Sequence, residues 1–382
     1  MYDIVIIGGG IIGGITAYQL SRYNLNILLV EKNPVFADET SRGNSGVIHG
    51  GFDPEPNKKE AKLNILGNKL WREEIFKHFD FPRAQVNSLI IAFNNDEMSH
   101  VKMLYDRGIQ NGVLSNDLKI LNKEELLNIE PNINNEVIGA LLCTSSWAID
   151  PVQATLAFIK SATNNGVKTL KSSKVTAIKF LEDSSFEITI NNQDVIKTRN
   201  IINAAGHYAD VIAEMAGYPD FKQKTRRGEY RILDRALSGI VNSICFMVPT
   251  IHGKGVIVAP MLDGHILVGP TAEDDVPKED TRLVTREKYE YIGEIGKKLF
   301  PSLDMSKTIM TFSGSRPIDI ETNDFVISYA KNNNKFINLA GMQSPALSSA
   351  PAIALEVEEL LKNNGTKLEL KNDFNPDASI FS

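Results

Sequence analysis

The chain has 382 residues, enough to enclose two hydrophobic cores, and its 42% hydrophobic and 23% charged content is that of a globular protein. A formal charge of −6 with no basic block argues against nucleic acid as a main partner. No apolar run reaches the roughly 18 residues a membrane span needs, and the chain starts directly on strand-like sequence, so a cytoplasmic protein without span or leader is expected. Cys143 and Cys245 lack metal-ligand spacing and the histidines form no HxH or HxxxH pair, so reduced cysteines and no metal are expected.

Ile4–Ile7 is a β-branched run, followed by Gly8, Gly10 and Gly13, a helical stretch from Ile11, a second apolar run at Ile27–Val30, and Glu31. Each part serves a dinucleotide. Gly8 permits a tight turn, Gly10 admits a pyrophosphate, and Gly13 allows close helix packing. The helix start offers free N–H groups and a positive dipole end. A carboxylate at position 31 accepts from a ribose diol and disfavours a 2′-phosphate, so NAD or FAD is expected rather than NADP.

Asn33–Pro56 has neither strand nor helix period and reads as a long functional loop. Within it, Thr40, Ser41, Ser45, Gly46 and Val47 let backbone amides reach a cofactor, and His49 follows as a side chain able to take a proton near neutral pH. Apolar residues at helical spacing (Ala61, Ile65, Leu66, Leu70) mark a helix over 57–79, with Trp71 in the core. Ser88–Phe93 is a predicted strand, Asp96–Arg107 a helix, Asn122–Glu125 a capping box and Val137–Leu142 a strand. Asp150-Pro151 opens a helix reaching about Thr163.

Strands are predicted near Val175–Phe180, Phe186–Ile190 and Asn200–Asn203, the last leaving through Ala204-Ala205-Gly206, a small-residue exit that lets backbone approach the first glycine loop. Arg226-Arg227 reads as a solvated pair. Tyr230–Ile232, Ile244–Val248, Gly255–Ala259 and His265–Val268 read as antiparallel strands. A helix over Lys288–Leu299 precedes strands at Lys307–Phe312, Phe325–Ser328 and Phe336–Leu339. The last helix is predicted from about Ser349 to Leu361, with Pro351 in its first turn and its positive end toward the Gly341–Ser348 segment. Parallel-type units at the start, middle and end, with meander strands between, predict an α/β chain of two interleaved domains.

Arg316, after a strand and before Pro317, presents a fixed fork of donors suited to phosphate or carboxylate. Lys254 sits between glycines, Ser344 and Ser348 offer hydroxyls, and His207 and His252 are weaker candidates.

Together, Asn44–His49, Ser146–Pro151, Ala204–Asp210, Phe246–Gly255 and Gly314–Pro317 resemble the FAD-dependent amino-acid and hydroxy-acid oxidases, and more closely the short bacterial glycerol 3-phosphate oxidases. The resemblance spans essentially the whole chain. It implies a two-dinucleotide-binding-type FAD domain with a Rossmann-like parallel sheet (1–82, 147–222 and 313–382), interleaved with a mostly antiparallel α+β substrate domain (83–146 and 223–312). It implies FAD contacts at Ile12, Glu31, Thr40, Ser41, Ser45, Gly46, Val47, Val175, Met342 and Gln343. Gly8, Gly10, Gly13, Gly206 and Gly341 complete that set. It implies a substrate site of His49, Lys254, Arg316, Ser344 and Ser348. In the implied reaction His49 takes the C2 hydroxyl proton of sn-glycerol 3-phosphate as the C2 hydrogen leaves as hydride to flavin N5, Lys254 and Arg316 hold the phosphate, and O₂ becomes H₂O₂. Longer relatives that feed membrane quinones carry an extra C-terminal helical domain, which the sequence given lacks; oxygen is the expected acceptor. Gly50-Gly51 after His49 departs from the family pattern. Two readings compete, an L-2-hydroxyglutarate oxidase or dehydrogenase of the same superfamily and a non-redox FAD-binding module.

Overall fold

The computed structural model describes residues 1–248 and 255–377. Among them, one sheet of eight strands carries the glycine loop, a second sheet of nine lies beside it, and a small sheet of three joins the two regions.

In the first sheet Lys168–Leu170, Ile27–Val30, Tyr2–Ile7, Asp194–Asn203 and Asn333–Ala340 pair in parallel, in that order. Their side chains alternate between two cores. Ile4, Ile6, Ile27, Leu29, Ile202 and Ile337 face one, whereas Val5, Ile7, Leu28, Val30, Ile201 and Phe336 face the other. Both faces are covered, which is why these strands read as unbroken apolar runs rather than alternating ones. Asp194–Asn203 belongs to two systems at once. Its second half pairs in parallel with Tyr2–Ile7, while its first half pairs antiparallel with Phe186–Ile190, itself paired with Val175–Phe180. Only the apolar second half was legible as a strand, since Asp194–Thr198 is mostly polar.

Helices Ile11–Leu20, Pro151–Asn164 and Ala346–Asn363 cover one face. Every residue of Ile11–Leu20 is buried, because it is sandwiched between the other two. Asp150 caps Pro151–Asn164 through Val152 and Gln153 N–H at 3.0 Å, and the Asn122–Glu125 capping box is formed as expected.

The second sheet is mostly antiparallel, with one parallel pair between Ile244–Met247 and Ser88–Ala92. One face, carrying Ile90, Leu141, Phe246 and Ile257, looks toward Val47 and Phe52 of the long loop. The ribbon of Gln223–Leu233 against Thr308–Asp319 runs from this sheet back toward the first.

Four local expectations need correction. Residues 33–56 are not wholly irregular, since Val47–Ile48 pairs with Trp147 and Ala148. The helix Lys59–Leu70 runs into a π-helical turn at Trp71–Ile75. Arg227 is buried rather than solvated: it sits inside Gln223–Leu233 and pairs with Glu229, two residues on along the same strand, at 3.1 Å and with Glu273 at 2.8 Å, the latter too far along the chain to show as a pattern. Pro351 lies within the last helix, which begins at Ala346. A proline there cannot donate to the carbonyl four residues back, Leu347. The Trp71 indole N–H takes that carbonyl at 3.0 Å, so the helix continues with its acceptor satisfied.

Aromatic packing ties this layer together. Phe158 is fully buried and meets Phe79, Trp71 and Tyr18 at centroid distances of 4.9, 5.7 and 5.8 Å. Phe158→Ala is expected to lower unfolding free energy by about 3–5 kcal/mol through lost burial and a residual cavity, measurable by urea denaturation.

Candidate active site

A cleft of about 560 Å³ runs along the carboxyl ends of the parallel strands and continues toward the second sheet. At its start the chain leaves Tyr2–Ile7 through Gly8, whose φ of +114° is open to glycine alone at low cost. A Cβ at Gly13 would lie 1.9 Å from the Gly8 carbonyl oxygen, so the helix packs on the turn only because that position is bare. Glu31 is buried and aimed back at the loop, accepting from Gly9 N–H and Asn33 N–H at 2.8 Å each. Its carboxylate thus lines the cleft in a fixed orientation beside the helix N-terminus. Val175, Gly206, Ile12 and Gly10 line the same stretch.

The long loop is pinned from several sides. Ser41 Oγ accepts Ile11 N–H at 2.8 Å, Thr40 Oγ1 donates to Ser315 O at 2.6 Å, and Asn44 Nδ2 donates to Thr40 O and Ser41 O. Thr40, Ser41, Ser45 and Val47 therefore face the cleft on one rim, while Met342, Gln343 and Ser344 form another. Gln223 joins the two glycine exits: its Nε2 donates to Gly206 O at 3.0 Å and its Oε1 accepts Gly341 N–H at 2.6 Å.

His49 lies where the loop meets the last helix. Its Nε2 is 3.4 Å from Ser344 Oγ and its ring is 6.0 Å from Phe246. Arg316 lines the same cleft, with Nη2 donating to Thr271 O at 3.4 Å. Burial pushes the Tyr230 phenol up, and the neighbouring Arg316 guanidinium opposes that rise; Tyr230 in turn stacks on Phe312 at 4.5 Å. A cation, an imidazole and a hydroxyl thus share one space with aromatic walls, an arrangement able to hold an anion and take a proton from it.

Of the residues singled out in the sequence, Gly13, Gly46, Gly341 and Ser348 do not line the cleft but stand behind it. Ser348 is fully buried, its Oγ accepting His49 N–H at 2.7 Å and donating to Val47 O at 3.4 Å. Lys254 and His252 lie outside the described residues. Sequence reasoning gave no role to Gln223, Tyr230, Phe246 or Asn68. Tyr230 and Phe246 were legible as strand residues, but nothing in their spacing showed which face they share with Arg316 and His49. Among the described residues no group of three or more His, Cys, Asp or Glu is placed to hold a metal, and no helix is long and apolar enough to cross a membrane.

The residues at the nucleotide end fit a dinucleotide by more than their glycines. His207 also lines the cleft, is 3% exposed, and neither ring nitrogen has a hydrogen-bond partner among the described residues. Its Nε2 lies 3.9 Å from Glu39 Oε2. Burial would raise the Glu39 carboxyl, but Lys32 at 2.9 Å and the nearby His207 and Asn33 hold it below its ordinary range. For His207, burial outweighs the attraction of Glu39 and lowers its pKa from 6.5 to about 4. Because the folded state resists the proton that the unfolded chain takes up, stability contributed by neutral His207 is complete above about pH 6.5. It is lost as the pH falls through about 4, by roughly 2–4 kcal/mol in all. Urea denaturation of the cofactor-free protein across that range is expected to show this slope, and His207→Gln to flatten it; an equal slope in the variant would place the acid sensitivity elsewhere.

A family model described as FAD dependent oxidoreductase matches residues 3–360. Glycerol 3-phosphate oxidase of Mycoplasma genitalium is 47% identical over 380 residues, covering 99% of this chain and 98% of that protein. The solved structure of dithionite-reduced L-alpha-glycerophosphate oxidase from Mycoplasma pneumoniae with FAD bound matches with a TM-score of 0.95 at 46% identity, covering 99% of this chain and 98% of that one. Human mitochondrial L-2-hydroxyglutarate dehydrogenase is 30% identical over 286 residues, which are 71% of this chain and 61% of that protein. With the glycine turn, the oriented Glu31 and the continuous cleft in place, these likenesses make the chain a member of the FAD-dependent oxidoreductase family.

Proposed function

We propose that the protein oxidises sn-glycerol 3-phosphate to dihydroxyacetone phosphate in the cytoplasm, with O₂ as acceptor and H₂O₂ as product. The observation that carries this reading is the likeness to a glycerol 3-phosphate oxidase over 99% of the chain, at 47% identity. The more distant likeness to an L-2-hydroxyglutarate dehydrogenase reaches only 71% of the chain. The interleaved arrangement supports the same division of labour. In it, 1–82, 147–222 and 313–382 hold the cofactor, while 83–146 and 223–312 shape the substrate side.

FAD, when bound, would supply the acceptor for the two electrons that leave the substrate with its C2 hydrogen and the donor of those electrons to O₂. The turn Gly8–Gly13 and the helix start at Ile11 would hold its pyrophosphate, and Glu31 would accept from its ribose. Val175 and Gly206 would flank the adenosine half, and Thr40, Ser41, Ser45 and Val47 would face Met342 and Gln343 across the rest, with Gly46 and Gly341 behind these two rims. Arg316 binds the substrate phosphate with two parallel donors, and Lys254 adds a second cation. His49 takes the C2 hydroxyl proton at Nε2, and Ser344, 3.4 Å from that atom, orients the hydroxyl.

Mixed anaerobically with glycerol 3-phosphate, the purified protein is expected to lose its flavin absorbance, and with L-2-hydroxyglutarate to keep it; the reverse pattern would overturn the substrate. His49→Asn is expected to retain FAD but lose about 10²–10⁴-fold in the rate of flavin reduction. Arg316→Lys exchanges a planar fork for a point charge, so the dissociation constant for glycerol 3-phosphate should rise roughly tenfold or more with the reduction rate at saturation little altered. An unchanged constant would place the phosphate elsewhere.

A further inference from the structure

The β-ladder that carries the chain toward His49 stops one residue short of it: Val47 and Ile48 pair with Ala148 and Trp147, and the next residues are His49, Gly50 and Gly51. Two glycines in a row leave the main chain free to swing unless something outside the ladder holds it. Both main-chain polar groups of His49 are held by side chains from two different helices. Ser348 Oγ, from Ala346–Asn363, accepts its N–H at 2.7 Å. Asn68 Nδ2, from Lys59–Leu70, donates to its carbonyl at 3.0 Å and to the Ser145 carbonyl at 2.9 Å. Asn68 is only 3% exposed, and its two amide hydrogens are spent on these two acceptors, standing in for the next rung between the strands.

The two helices that carry these anchors touch next to them. A Cβ at Gly67 would lie 2.1 Å from the Ser348 carbonyl oxygen, so the separation of Asn68 from Ser348 is set by direct backbone contact. We propose that Asn68 is a positioning residue for the oxidation step, fixing the His49 peptide so that the imidazole meets the substrate hydroxyl at one place, with Gly67 and Ser348 completing the clamp. This rests on His49 being the base, and it assigns Ser348 an action through the His49 main chain rather than on the substrate. Loss of the two donors strands two carbonyls and lets the loop shift, and displacements of about 1 Å at a reacting group cost up to about 10²-fold in rate.

The test is a double-mutant cycle on flavin-loaded protein, read by anaerobic stopped-flow flavin reduction with glycerol 3-phosphate. Asn68→Ala is expected to slow reduction about 10–100-fold while the substrate dissociation constant, set at Arg316, stays within about twofold. Placed in His49→Asn, the same substitution is expected to cost less than about twofold more, since there is no base left to misplace. Asn68→Asp, which keeps the shape but cannot donate, should behave alike and covers the case in which the alanine variant fails to fold. Equal losses in both backgrounds, or a parental rate in Asn68→Asp, would overturn the positioning role. A parental rate in His49→Asn alone would instead overturn the base assignment on which it rests.

Discussion

A loop with two residues of β-ladder has to carry a rim of the cofactor cleft and an imidazole, and side-chain hydrogen bonds to its main chain make that possible. Ser41 reaches the start of the first helix, Thr40 reaches the strand Thr308–Asp319, Asn44 folds the loop on itself, and Ser348 and Asn68 take the two sides of His49. Each bond contributes only about 0.5–1.5 kcal/mol net. Their weight lies in ordering backbone that would otherwise keep its freedom, at a cost of about 1–2 kcal/mol per residue. The loop is therefore rigid because of what surrounds it.

That explains which parts were legible in the sequence. The opening strand, glycines, helix and Glu31 carry a local signal: the whole unit spans about thirty residues, and each residue type has one physical use there. The paired runs of apolar residues gave most strands for the same reason. Asn68 was silent because an asparagine inside a helical pattern reads as an ordinary polar position, and its partners at 49 and 145 are fixed only by tertiary structure. Arg227 misled in the opposite direction, since two adjacent arginines suggest solvent until Glu229 and Glu273 are seen closing on one of them. Ser348 was singled out by the resemblance, yet its position relative to the cleft depends on where the last helix begins, and Pro351 pointed to a start several residues too late.

Charge at the nucleotide end follows the same logic of burial against partners. Glu39 stays ionised because Lys32 reaches it, whereas His207, with no hydrogen-bond partner for either ring nitrogen among the described residues, stays neutral. A neutral imidazole beside a carboxylate adds no buried positive charge to this part of the cleft wall, and main-chain N–H groups at the helix start offer attraction for a diphosphate beside the lysines that line the cleft.

The bond from the Trp71 indole to the Leu347 carbonyl has a consequence for the last helix as a whole. One indole N–H can serve one acceptor from one direction, so it acts as a key that admits a single azimuth. Turning the helix by one residue, about 100° about its axis, would carry that acceptor away from the ring and strand it beside a proline that offers nothing in return. The proline thus does not weaken the helix so much as make its heading non-negotiable.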